Sequence, residues 1–270
     1  RPLTQTIPKL FLLKPLRAAS SWRVSMTNGS ITSVQPAPSA AAAAGEKRRR
    51  VEPATSVGEE LRCIPCTPGT PLTADAPMIR RMLQIIENEV LPKTEKNVAE
   101  GNKVFGAAVL RDDADLTTVV ADSNHEMLCP LYHGEMWTIK QWSELPSEQR
   151  GSASECVFLS THEPCCMCVS GITWSGFKKC FYFFPYETTK AQGIPHDLNI
   201  MYQLWQVPSY ARSNSFISTA GLLAEIDKCQ EPDKAELLAT AERIAKKYDE
   251  LSKKYHSEKA QNPQNTLAFD

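Results

Sequence analysis

Two short stretches hold the residue types that do chemistry: His133-Gly134-Glu135 and Pro164-Cys165-Cys166-Met167-Cys168. Imidazole nitrogen and thiolate sulfur are zinc donors, and a catalytic zinc site takes three protein ligands with a fourth position left for water. His133, Cys165 and Cys168 make such a set. Glu135 lies two residues beyond the histidine, a carboxylate beside a ligand without being one, and so placed to move protons. Cys165 and Cys168 are spaced i and i+3, which puts both sulfurs on one face of a helix. In a first helical turn the helix dipole also favours their negative charge. Cys166 points roughly 100° away around that helix and is not the natural fourth ligand. A closed structural site would need a remote thiol such as Cys129 or Cys156. Binding requires a neutral His133 and deprotonated Cys165 and Cys168. Zinc there would lower the pKa of its water toward roughly 7 and so supply hydroxide at physiological pH.

The elements that must position these residues can be read from periodicity. Apolar Met78, Met82, Ile85, Ile86 and Val90 recur at helical spacing over Pro77 to Val90. Val104 to Leu110 reads as a buried strand and Leu116 to Ala121 as its β-branched partner, with Asp112 and Asp113 in the turn between them. His133 to Trp142 reads as a helix, Cys156 to Thr161 as a strand, Pro164 to about Gly176 as a helix, and Lys179 to Phe184 as a strand. Strand, ligand helix, strand, ligand helix and strand imply an α/β sandwich with the site where two helix N-termini converge.

Length and composition set the outer bounds. A chain of 270 residues fits one catalytic domain with flanking extensions. We read residues 1–74 as a disordered N-terminal extension, 75–230 as the zinc-dependent domain, and 231–270 as a C-terminal helix and tail. Apolar residues make up 42%, enough for a core, and the net charge of −1 gives no global pull toward nucleic acid or membrane. No apolar run is long enough to span a bilayer. Nine cysteines, an odd number with three crowded into four positions, fit metal binding in a reducing compartment better than a disulfide framework. Cytoplasm or nucleus is the expected location, with organelle import left open. The chain opens on Arg1 without an initiator methionine, so a preceding segment is expected, and Met26 offers a second start. Residues 1–45 are basic and hydroxyl-rich without an acidic residue, which suits a transit peptide or a basic tail. Lys47-Arg48-Arg49-Arg50 reads as a nuclear-localisation patch or a solvated charge run. Cys63 and Cys66 form a second C-x-x-C with no partner pair nearby, which reads as a loop.

H-x-E followed by P-C-x-x-C is the signature of zinc deaminases. Phe105-Gly106-Ala107, Asn124, His133-Gly134-Glu135 and Glu163-Pro164-Cys165-x-Met167-Cys168 extend the match. Over about residues 76–205 the chain resembles the cytidine deaminase-like superfamily. The resemblance is to the branch holding guanine deaminases, fungal-type cytosine deaminases and tRNA adenosine deaminases. It implies a three-layer α/β/α sandwich of about five strands and hydrolytic loss of ammonia, with zinc as cofactor and a homodimer as the assembly. It also implies roles for the matching positions. Glu135 would shuttle protons, Asn124 and Phe105 would hold the substrate, and the backbone N–H of Cys165 or Cys166 would steady the oxygen at the attacked carbon. Gly134 departs from the commoner alanine of the family, and Val104 stands where proline is usual.

The stretch Cys180-Phe181-Tyr182 followed by Gly193 to Leu198 is similar to guanine deaminases, where an aspartate of the closing C-terminal segment contacts the base. Asp197 matches with a one-residue offset. The other reading of Asp197 is a cap for a helix whose face carries Ile200, Met201 and Leu204. Residues 76–230 hold 13 lysines and arginines against 18 aspartates and glutamates, a net −5. A nucleic-acid binder normally shows a basic footprint, so a small nucleobase or nucleoside is the expected substrate, guanine ahead of cytosine. The alternative is a tRNA adenosine (A-to-I) deaminase, or a zinc-containing partner subunit of one. Beyond Glu231, the residues Leu237, Ala241, Ile244, Tyr248, Leu251 and Tyr255 make an a/d stripe under three heptads long. That length suits docking on the chain's own domain, away from the site.

Overall fold

The computed structural model describes residues 22–27, 30–36 and 69–268. The Lys47–Arg50 run, Cys63 and Cys66 lie outside the described residues, as does most of the basic stretch read as a transit peptide. The chain divides into two compact units, 1–62 and 63–270. In the first, β1 (Trp22–Thr27) and β2 (Ser30–Pro36) pair antiparallel.

The second unit opens where a helix cap predicts. Asp75 accepts a 3.0 Å hydrogen bond from the N–H of Met78 and so satisfies one of the unpaired donors of α1 (Ala76–Ile85). The helical segment outlasts the expected end at Val90. A single π-turn, Ile86–Val90, leads into α2 (Leu91–Ala99). Pro92 falls just after this π-turn, in the first turn of α2.

Five strands form one sheet: β3 (Gly106–Arg111), β4 (Thr118–Ser123), β5 (Cys156–His162), β6 (Lys179–Phe184) and β7 (Ser218–Gly221). Their order is β4-β3-β5-β6-β7; β3 runs antiparallel to β4 and β5, while β5, β6 and β7 are mutually parallel. Both strands of the β3–β4 hairpin begin two residues later than their apolar runs; Leu116 adopts φ 45° in the turn, where Asp113 accepts a hydrogen bond from the Thr117 N–H. Between β4 and β5 lie α3 (Gly134–Glu144), α4 (Ser147–Arg150) and a 3-10 turn at Ala153–Glu155. The crossover from β5 to β6 is α5 (Cys166–Trp174). Beyond β6 come α6 (Tyr186–Ala191) and α7 (His196–Trp205), and beyond β7 come α8 (Leu222–Ile226) and α9 (Asp233–Gln261).

Strand alternation divides the core into two layers. Ala108, Leu110, Leu159, Phe181 and Phe183 pack against helices α1, α2, α8 and α9. Ala107, Val109, Phe158 and Cys180 pack against Trp142, Ile172 and Phe177 on the opposite face. Both faces are covered, which makes the expected three-layer α/β sandwich. The stripe of α9 from Leu237 to Tyr255 is buried in the first of these layers, so the helix docks on its own domain. Surface pairs such as Arg80 with Asp233 and Arg243 with Glu87 add register more than energy. Among the described residues, no helix is long and apolar enough to cross a membrane.

Candidate active site

The structure brings the histidine and the two cysteines together. His133 is the residue just before α3, and Cys165 is the residue just before α5, so the two helices present their N-terminal ends to one point. Cys165 therefore precedes the first helical turn in which the spacing argument placed it, and Cys168 lies within that turn. Nδ1 of His133 stands 3.7 Å from Sγ of Cys165 and 3.6 Å from Sγ of Cys168. Tetrahedral zinc with ordinary Zn–N and Zn–S bonds separates such a nitrogen and sulfur by about 3.6 Å. The donor set fits the ion in type and in spacing. All three donor atoms lie within 4.8 Å of one another, and among the described residues neither Cys129, Cys156 nor Cys166 joins them.

The three donor groups shape one another's protonation. Hydrogen bonds from Cys168 and His133 hold the Cys165 thiol well below its ordinary range, while burial pushes Cys168 up. Burial lowers the His133 pKa, but its bond to Cys165 and the nearby anions outweigh this and carry it up to about 9. A dication bound here takes the place of the protons on His133 and Cys168, and Cys165 already offers it an anionic sulfur.

Glu135 occupies the first turn of α3, 3% exposed, and its Oε1 accepts a 3.0 Å hydrogen bond from Ser160 on β5. Burial, then the Cys165 charge, raise its carboxyl above the ordinary value. Gly134, the departure noted in the sequence, has a physical reason here. A Cβ at that position would stand 2.7 Å from the Phe105 carbonyl oxygen and 2.8 Å from Gly106. The helix that carries Glu135 thus packs directly on the start of β3.

A cavity of about 300 Å³ opens beside the triad, of a size for one base or nucleoside. Phe105 forms one wall and stacks on the His133 ring at 6.3 Å and 17°. Asp197 lines another from the first turn of α7, half-buried and without a capping hydrogen bond of its own. Burial, then the charges of Cys165 and Glu135, push it up to about 7. The face expected for α7 is only partly buried: Met201 is covered, whereas Leu204 is 63% exposed. Cys166 lines the cavity too, and as the opening residue of α5 its N–H belongs to those a helix leaves without an internal partner. Asn124 is fully buried just behind this wall. Its side chain donates to Glu126 at 2.6 Å and accepts from the N–H of Glu126 at 2.9 Å.

Two features of the cavity were not read from the sequence. Glu126 and Lys103 form a buried pair in its wall at 3.1 Å, and Leu267 and Ala268 close one side. The C-terminal tail beyond α9 thus reaches the site. Neither feature has a local signal, since the residues that meet are 23 and 165 positions apart.

Residues 84–184 match the model of the family described as the cytidine and deoxycytidylate deaminase zinc-binding region. The matched stretch includes His133, Cys165 and Cys168, which could together hold a metal ion, consistent with zinc. No curated protein sequence matches the chain. Among solved structures, it is similar to a guanine deaminase from Nitrosomonas europaea, with 16% identity and a TM-score of 0.41 over 67% of this chain and 88% of that one. A tRNA:A34 deaminase is similar at 16% identity and a TM-score of 0.37, over 56% and 97% of the respective chains. A guanine deaminase from Bacillus subtilis follows at 22% identity and a TM-score of 0.36, over 46% and 74%.

Proposed function

We propose that the protein is a zinc-dependent hydrolytic deaminase of a free nucleobase or nucleoside, with guanine as its preferred type of substrate. The observation that carries the reading is Glu135, a buried non-ligand carboxylate set one residue beyond the start of the helix that follows His133. A structural zinc site has no use for an acid in that place.

Bound zinc would supply a water activated at neutral pH. Glu135 would take one proton from the attacking water and deliver it to the ring nitrogen of the substrate. It would then take the remaining proton of the oxygen added to the ring carbon and pass it to the departing amine. The carbon–nitrogen bond breaks, ammonia leaves, and the water oxygen remains as the oxo group. A carboxyl whose pKa is raised by burial is suited to both halves of this transfer. Phe105 offers an aromatic face to a planar base. Asp197 favours a guanine type, because one carboxylate accepts from both a ring N–H and an adjacent amino group. The N–H of Cys166, at a helix N-terminus, would stabilise charge on the oxygen added at the attacked carbon.

A cavity of base size and a net-acidic domain both support a small substrate over RNA. The test is ammonia release by the zinc-loaded protein over guanine, guanosine, cytosine, cytidine, adenosine and an anticodon stem–loop. Turnover of guanine or guanosine is expected; turnover of the stem–loop alone would overturn the small-molecule reading.

A further inference from the structure

We propose that Glu126 is the positioning residue of His133, and that Lys103 holds it in place. The inference rests on the zinc reading of the triad. Nδ1 of His133 faces both sulfurs, so a neutral ligating imidazole must carry its proton on Nε2. That nitrogen lies 3.5 Å from Oε1 of Glu126. The contact is longer than an ordinary hydrogen bond and acts through charge: an anion beside Nε2 favours the tautomer with its proton there and leaves Nδ1 bare for the metal.

The carboxylate is restrained on every side. Oε1 also accepts from Nζ of Lys103 at 3.1 Å, and Oε2 accepts from Asn124 at 2.6 Å. The Glu126 N–H returns a 2.9 Å bond to Asn124. Lys103 is anchored in turn by the Ala268 carbonyl at 3.0 Å. Glu126 and Lys103 are each only 5% exposed at the side chain. An ion pair this buried adds little net stability over apolar residues of the same size, because desolvation offsets the attraction. A role toward His133 gives the buried charge a purpose that fold stability alone does not. It also explains why the Asn124 amide, whose hydrogen bonds go to Glu126, sits behind the cavity wall.

The experiment measures zinc affinity by competition with a chromophoric chelator, together with the visible absorption of the cobalt(II)-loaded protein. The variants are Glu126→Gln and the double replacement Lys103→Met with Glu126→Leu, which removes both charges at once and so avoids leaving a lone buried ion. The double variant is expected to bind zinc about 10- to 100-fold more weakly, with a shifted cobalt band. Glu126→Gln, which keeps an oxygen acceptor without charge, should fall between it and the parent. A double variant that binds zinc within about threefold of the parent and keeps the parent's cobalt spectrum overturns the proposal. A parent that binds no zinc would instead overturn the metal reading on which the proposal stands.

Discussion

The hydroxyl of Ser160, on β5, donates a 3.0 Å hydrogen bond to Oε1 of Glu135, on α3. Both residues are buried, so this bond ties the acid to the central sheet and limits where its second oxygen can point. Ser160→Ala should lower kcat by about tenfold, the worth of one hydrogen bond to a charged group. KM and zinc content should stay at parental values. A variant with unchanged kcat would show that the acid needs no such restraint.

Gly134→Ala is expected to damage the site from behind. The added Cβ meets backbone atoms of Phe105 and Gly106 at under 3 Å, and backbone cannot swing aside as a long side chain can. Forcing it in should cost roughly 1–3 kcal/mol of stability and weaken zinc binding, since His133 precedes the displaced turn. Chemical denaturation and chelator competition read the two effects. A variant of parental stability would mean that α3 and β3 adjust at no cost.

Much of this architecture was legible in the sequence. The spacing of Cys165 and Cys168, the residues around His133 and the apolar runs of β5 and β6 marked the ligand helices and the strands between them. The stripe from Leu237 to Tyr255 marked a helix that docks. Other features have no local signal. The strand β7 is four residues of Ser, Thr, Ala and Gly, too short and too small to show an apolar alternation. The helix after Asp75 continues past Val90 through a π-turn, which no apolar periodicity marks. Lys103, Glu126 and Ala268 meet only through tertiary folding, and no periodicity brings them together.

Asp197→Asn tests the substrate preference. An amide in place of the carboxylate keeps the shape but loses charge and one acceptor. For guanine, kcat/KM should fall by about 10- to 100-fold, the equivalent of a hydrogen bond to a charged group. Zinc content should be unaffected, because Asp197 lies outside the ligand cluster. Equal kcat/KM in variant and parent would remove Asp197 from substrate binding.

His162 makes stability depend on pH. It is 1% exposed, hydrogen-bonded to Gln192, and burial lowers its pKa to about 4. Its unfolded value is about 6.5, so the unfolded chain takes up the proton first as pH falls. Its stabilising contribution is therefore complete above about pH 6.5 and is lost progressively down to about pH 4. Between pH 7.5 and 5 the zinc-free parent should lose about 2 kcal/mol more than His162→Gln, which keeps a donor toward Gln192 but does not titrate. Urea denaturation of both proteins at the two pH values measures the difference. Parallel losses would place the acid sensitivity elsewhere.

Glu135→Ala, assayed for ammonia release and for bound zinc on the same preparation, tests the central claim most directly. The account predicts one zinc per chain, as in the parent, and turnover reduced by at least about 100-fold, the scale of a lost general acid–base group. Turnover near the parental rate with zinc in place would contradict it.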